Sequence, residues 1–371
     1  MHNKQASLRD KLEVGVFVAV IGLFFLLNLV VKAPDILSSE RRRPAPLPGF
    51  SVATVVSGSF MRGFGAYATD AFVFRDSFRT LKAATVFGPL MQTDKGGLYF
   101  GAAGVGEFKS SDALSLAQSA EKLRILAEAF SVWSPESRLY YSLVPDKSQY
   151  AGKYLPATPL GVVEDLLAEA LGAATYIPIA DCLVADSFYR SDLHWDQSKI
   201  GTVMDRLSGQ MGRRHDLDRY HEKDAGIFQG GYAGQMALPI PQDRMRYLDM
   251  PGLRASYLDD SALQYEEYPV YDLESFHGID PYDLFLCGPQ AVVVLENPEA
   301  PEGELYLFRD SYGSSIGPLL AGAYRRITLI DLRYIDIRVL DQFVAFAPGA
   351  DGLFLFSSQI LNNPSILKIG G

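Results

Sequence analysis

Residues 304–315 read Glu304-Leu305-Tyr306-Leu307-Phe308-Arg309-Asp310-Ser311-Tyr312-Gly313-Ser314-Ser315. The opening run is short, apolar on both of its faces and closed by Arg309-Asp310, which is the pattern of a strand covered on both sides. Residues 317–324 then read as helix-like. A serine at such a strand-to-helix junction stands at the carboxyl end of the strand, where open α/β sheets receive ligands. The first N–H groups of the helix point to the same place and suit an oxyanion. Gly313 allows close backbone approach. The plainer reading makes Ser311 a helix N-cap, and this segment alone supports both.

Working outward, the same alternation recurs. Residues 111–133 have helical spacing with Ser111 or Asp112 as N-cap. Residues 139–144 form a short apolar run stopped by Pro145-Asp146. Residues 161–172 predict a helix ending at Gly172, followed by a short strand at 176–179. Residues 327–332 and 352–356 predict two further strands. Strands alternating with helices predict an α/β fold with a mostly parallel sheet. Residues 208–286 differ, being polar, rich in Tyr and Asp and weakly periodic. They read as an excursion from the sheet, a lid or insertion. Repeats are absent.

Residues 189–195, Tyr189-Arg190-Ser191-Asp192-Leu193-His194-Trp195, supply a second chemical element. An Asp and a His two apart can share one loop, with the carboxylate reaching the imidazole. That contact fixes the tautomer and stabilises an imidazolium. The alternative is a surface turn carrying an incidental His.

Residues 14–31, VGVFVAVIGLFFLLNLVV, contain a single polar side chain, Asn28. As a helix the run spans about 27 Å, close to the thickness of a bilayer's hydrocarbon. It is apolar all round and ends in Val30-Val31-Lys32-Ala33-Pro34, a poor cleavage site, so an uncleaved anchor is favoured over a signal peptide. Lys4, Arg9 and Lys11 precede it, and Lys32 and Arg41 to Arg43 follow it, so charge does not set its orientation. The chain divides into a short tail at 1–13, the anchor at 14–31, a Pro-rich linker at 32–50 and a globular domain at 51–371.

The chain has 371 residues, 48% of them hydrophobic, and a net charge of −10, which argues against a nucleic-acid partner. Cys182 and Cys287 have neither a metal-like nor a redox spacing, and nothing in the sequence decides whether they pair. Five His residues form no metal cluster, and no cofactor is expected. His2, His215, His221 and His277 lie outside any motif.

Several segments, in order, resemble one family. Ser191-Asp192-Leu193-His194-Trp195 resembles the D-x-H-W element of the DHHW-type proteins and of the proteins of bacterial alginate O-acetylation, which look like permuted relatives of SGNH/GDSL hydrolases. Leu193 stands where DHHW proteins often have His. Residues 64–78 are similar to an early D-x-F-x-x-R-D pattern through Asp70, Phe72, Arg75 and Asp76. Residues 97–101 resemble the turn that follows. Val144-Pro145-Asp146-Lys147 looks like a V-P-x-K element, Asp310-Ser311-Tyr312 like D-S-[YF], and Asp331-Leu332-Arg333-Tyr334 like D-L-R-Y. The likeness runs from about residue 60 to the C-terminus. Each motif is short, and their order is more specific than any one of them.

The resemblance implies an SGNH hydrolase-like three-layer α/β/α domain behind one transmembrane helix. It implies Ser311 as nucleophile, His194 as general base and Asp192 as its orienter. Triads are recognised by geometry, so the chain order is no objection. Tyr312, Gly313, Arg333, Tyr334, Trp195 and Lys147 are weaker candidates for substrate or oxyanion contacts. Asn362 and Asn363 are further candidates for an oxyanion amide, and Arg75 and Asp76 are expected to pair locally. The implied activity is O-acyl transfer, of acetyl in the family's manner, to a cell-surface or exopolysaccharide on the extracytoplasmic side. A multi-spanning membrane acyltransferase is the implied partner. An acetyl esterase, or a non-catalytic glycan-binding scaffold, fits the same residues.

Overall fold

A computed structural model describes residues 8–152, 159–259 and 262–370. Residues 1–7 of the expected tail lie outside it. The chain forms two compact units, Met1–Gln92 and Thr93–Gly371.

In the first unit α1 is Leu8–Val30, and none of its residues is buried. It is long and apolar enough to cross a membrane. It begins ahead of the apolar run because Leu8–Glu13 favours helix and the Arg9–Glu13 ion pair, four residues apart, supports its first turns. α2 is Val52–Val56, α3 is Ser59–Asp70 and α4 is Arg75–Phe87. Ser51 and Thr54 form a capping box that starts α2. The Pro-rich segment 32–50 is expected to be an exposed linker, but it is fastened to this unit. Arg42 grips the buried Asp70 carboxylate through both terminal nitrogens, at 2.6 and 2.7 Å, and Ala45 N–H donates to it at 2.9 Å. Glu40 pairs with Arg42, Arg75 and Arg79. Arg75 therefore lies closer to Glu40, at 2.7 Å, than to Asp76, at 3.4 Å. Residues 51–92, expected to open the globular domain, belong to this helical unit, and the sheet-bearing unit starts at Thr93.

In the second unit the elements run β1 (Leu98–Gly101), β2 (Gly104–Glu107), α5 (Ala113–Trp133), β3 (Arg138–Val144), α6 (Leu160–Ala170), β4 (Thr175–Tyr176) and α7 (Gly201–Gln210). They continue with β5 (His221–Phe228), α8 (Gly231–Met236), β6 (Asp243–Asp249), β7 (Arg254–Asp259), β8 (Gln264–Tyr268) and α9 (Leu273–Phe276). The last are β9 (Val292–Glu296), β10 (Glu304–Arg309), α10 (Tyr312–Leu320), β11 (Arg326–Ile330) and β12 (Asp351–Ser357). Eight strands form one sheet in the order β4-β3-β12-β10-β11-β9-β7-β8. β4, β3, β12, β10 and β11 are parallel neighbours. The β11–β9, β9–β7 and β7–β8 pairings are antiparallel.

The sheet is thus mixed, which corrects the expected mostly parallel one. The reason lies in residues 208–286. They form the separate β5–β6 ribbon and then feed β7 and β8 directly into the sheet. β9 continues that antiparallel half.

Alternation along β10 explains the layers. Leu305 and Leu307 pack on one face with α7 and α10 residues such as Met204, Leu207 and Leu319. Tyr306 and Phe308 pack on the other with α5 and α6 residues such as Leu123, Phe130 and Leu167. The expected helices and strands at 111–133, 139–144, 161–172, 304–308, 327–332 and 352–356 all occur, with ends shifted by a few residues. Asp112 is the observed N-cap of α5, accepting from Ser115 N–H at 2.8 Å. The helix expected at 317–324 starts earlier, at Tyr312. Cys182 and Cys287 are both free thiols.

Candidate active site

β10 ends at Arg309, and Ser311 sits at the junction with α10, half-buried. Asp310 shapes the junction. One carboxylate oxygen accepts Tyr312 N–H at 3.0 Å and the other accepts Ser357 N–H at 2.7 Å, so it ties the start of α10 to the end of β12. Gly313 is needed for packing, since a Cβ there would lie 2.4 Å from Arg309 Cβ. Its N–H donates to Asp310 O at 3.1 Å.

The loop before Trp195 meets this junction. His194 Nε2 lies 2.9 Å from Ser311 Oγ, and His194 Nδ1 lies 2.7 Å from Asp192 Oδ1. Asp192 and His194 are 1% and 6% exposed, so the Asp192–His194 contact is shielded from water while the Ser311 end is partly open. The second Asp192 oxygen accepts Gly231 N–H at 2.9 Å. The His194 ring stacks face to face on Tyr282, with centroids 3.6 Å apart and planes within 7°. Burial pushes the Tyr282 phenol well above its ordinary range, so it is neutral. Its hydroxyl donates to Ser315 Oγ at 2.9 Å.

The weaker candidates separate by environment. Lys147 is 1% exposed and directs its ammonium to the carbonyl oxygens of Tyr189, Arg190 and Asp192, at 2.6, 3.3 and 2.9 Å. It clamps the loop that carries Asp192 and His194. Burial pushes its pKa down to about 8. Trp195, a weaker candidate for substrate contact, is wholly buried and donates Nε1–H to Ser315 Oγ at 2.6 Å. Tyr312 is buried too, and its hydroxyl donates to Leu193 O at 2.8 Å, a further hold on the same loop. Arg333 forms a forked ion pair with the fully buried Asp331, at 2.9 and 2.6 Å. Tyr334 is 42% exposed and lies under the Arg333 guanidinium, 5.4 Å from its centroid. Asn362 binds Asp112 N–H and Ser110 O at the start of α5, and Asn363 accepts from Ser365 Oγ. Both ends of the Asn362 amide are occupied there.

Sequence reading missed Tyr282, the Gly230-Gly231 turn and Asp243. Asp243 accepts Arg190 N–H at 2.8 Å, Ser191 N–H at 2.7 Å and Ser191 Oγ–H at 2.5 Å. Ser191 Oγ in turn accepts Gly230 N–H at 2.7 Å. The adjacent glycines were the only local signal. All three elements come from the segment read as an insertion. Among the described residues no group of His, Cys, Asp and Glu is arranged to hold a metal.

No protein-family model matches the chain, and no curated protein matches it by sequence. Solved structures do match. A DHHW family protein from Eubacterium siraeum aligns at 17% identity over 75% of this chain and 94% of that one, with a TM-score of 0.55. PatB1 from Bacillus cereus, in a structure with a sulfonyl adduct, aligns at 14% identity over 74% of this chain and 98% of that one, with a TM-score of 0.59. The O-acetyltransferase domain of AlgJ from Pseudomonas putida aligns at 11% identity over 72% of this chain and 93% of that one, with a TM-score of 0.42. The first two matches show that the chain has the fold of a DHHW-type protein, the relation its ordered motifs imply.

Proposed function

We propose that this chain is a membrane-anchored serine O-acyltransferase, in its simplest form an O-acetyltransferase, acting on hydroxyl groups of a cell-surface polysaccharide. The line Asp192 Oδ1–His194 Nδ1 and His194 Nε2–Ser311 Oγ, at 2.7 and 2.9 Å, carries the reading. In it, Ser311 Oγ attacks the acyl carbonyl while His194 Nε2 takes the hydroxyl proton. Asp192 keeps the proton of the other ring nitrogen in place and stabilises the imidazolium. The donor's leaving group departs with the proton from His194, leaving an acyl ester on Ser311. A sugar hydroxyl then gives its proton to His194 and attacks the ester, and Ser311 regains its own. Water in the sugar's place would make the enzyme an esterase. Face-to-face stacking on Tyr282 restrains the His194 ring through both half-reactions. The reading includes α1 as the anchor, an extracytoplasmic site and a multi-spanning partner that delivers the acyl group. The anchor rests on the length and apolar composition of α1, and the other two follow the sequence resemblance.

The test uses the full chain in detergent with an acetyl-ester donor and oligosaccharide acceptors. Ser311→Ala and His194→Ala should each lower acetyl transfer on the order of 10⁴-fold. Equal transfer and acetate release by all three proteins would sink the reading. Acetate release without acetylated acceptor would favour the esterase, and acceptor binding without turnover the scaffold. One structure sharing this fold carries a sulfonyl adduct. An activated hydroxyl attacks the sulfur of a sulfonyl halide and displaces the halide, so such a reagent should label the wild type and spare Ser311→Ala.

A further inference from the structure

Asn28 is the single polar residue of the apolar run 14–31. Its side-chain oxygen accepts Val73 N–H at 3.0 Å, and its amide donates back to Phe24 O at 2.7 Å. Phe24 also stacks on Phe72, at 5.9 Å and 10°, and lies against Phe78 at 5.6 Å. The corner between α3 and α4 is thus seated on α1 inside its apolar stretch. Phe24 precedes the end of α1 at Val30 by six residues, about 9 Å along the axis.

The corner is apolar where it is open. Phe72, Phe74, Phe78 and Leu81 are 40, 60, 43 and 61% exposed. Residues 74, 78 and 81 follow helical spacing and form one stripe along α4. Arg75, Arg79 and Lys82 follow the same spacing on the adjoining face. A cleft of about 580 Å³ runs along the seam, lined by Phe72 and Phe78 together with these three cations. Lys82 has no carboxylate within ion-pair distance among the described residues. Residues 32–92 carry eight Lys and Arg against four Asp and Glu, in a chain whose net charge is −10.

We infer that the α3–α4 corner is a second membrane contact, with Phe72, Phe74, Phe78 and Leu81 in the acyl layer and Lys82 at anionic lipid headgroups, Arg75 and Arg79 being held by Glu40 at 2.7 and 3.0 Å. This rests on the reading of α1 as a membrane span. Helices that lie in an interface bury an apolar face about 5–10 Å deep beside a basic one, which matches the depth of Phe24 along α1. Hydrocarbon leaves no water to satisfy a backbone N–H. Asn28 satisfies the one at Val73, which gives the polar residue of the span a purpose.

Trp133 and Trp195 are the chain's two tryptophans, and both lie in the second unit. The full chain is reconstituted in vesicles of phosphatidylglycerol and acyl-brominated phosphatidylcholine, as Phe74→Trp and, separately, Phe24→Trp. The expected result is blue-shifted emission from the tryptophan at position 74, quenched by the brominated chains to an extent approaching that of position 24. Quenching at 24 but not at 74 overturns the inference and leaves the anchor standing, pointing to a membrane-protein partner on this face. Quenching at neither position removes the anchor and the inference together. Loss of the position-74 quenching when phosphatidylglycerol is omitted would support the role of Lys82.

Discussion

Lys147 commits its ammonium to one loop, and its burial has a consequence for pH. Its pKa is held at about 8, below the ordinary 10.5. Between those values the unfolded chain binds a proton that the folded chain lacks, so stability rises with pH across the window. Below about pH 8 both states are protonated and this contribution is constant. Lys147→Met should abolish the rise. The wild-type-minus-variant difference in unfolding free energy, from denaturant titrations at about pH 7 and about pH 10, should grow by about 2–3 kcal/mol. A difference that stays flat would show the lysine to be solvated. The variant should also lose acyl transfer, because three carbonyls of the Asp192–His194 loop lose their donor. At this scale Asp192, His194 and Ser311 were legible because each sits in a short ordered motif. Tyr282 was not, since stacking on His194 is created only when distant segments meet. Tyr312 was legible as special but not as a buried prop, because sequence does not say which side of a loop faces the core.

The elements tell a similar story about distance along the chain. β3, β10, β11 and β12 were readable from composition because each is an apolar run with clear stops. β8, Gln264–Tyr268, is exposed at every position and gives no periodic signal. β9 is apolar on both faces, and composition is silent on whether such a strand runs parallel or antiparallel to its neighbour. The antiparallel half was therefore hidden, and with it the turn before α8 that supports Asp192. That turn is tight. A Cβ at Gly230 would lie 2.2 Å from Ser191 O and 2.5 Å from Asp192 Cβ. Gly230→Ala must push the Asp192 loop aside, costing about 1–3 kcal/mol of stability by overpacking and disturbing the Asp192–His194 contact. Its kcat should fall far more than its KM changes. Gly161→Ala, where a Cβ meets nothing within 4 Å, should leave kcat unchanged. Equal kcat in both variants would detach α8 from the site.

The whole molecule separates its charge by segment. Residues 32–92 are basic, while residues 93–371 carry 23 Lys and Arg against 38 Asp and Glu. The totals were open to reading in the sequence, but the boundary between the helical and the sheet-bearing units was not, because no composition break marks residue 92. The acidic excess bears on the acceptor. Net charge acts on encounter rates with charged substrates and weakens as salt screens it, over about 10 Å at 0.1 M ionic strength. If Ser311 acylates a polymer, a uronate-bearing oligosaccharide meets repulsion that a neutral one does not. The local cations do little to offset it, since Arg309 and Arg333 both pair with the buried Asp331. Raising salt from about 10 mM to about 200 mM should therefore raise kcat/KM for the uronate acceptor by a few-fold, by relief of a field of several kT, and leave the neutral acceptor unchanged. A fall for the uronate acceptor would show instead that cations draw it in, and Arg333 would then be the first residue to replace.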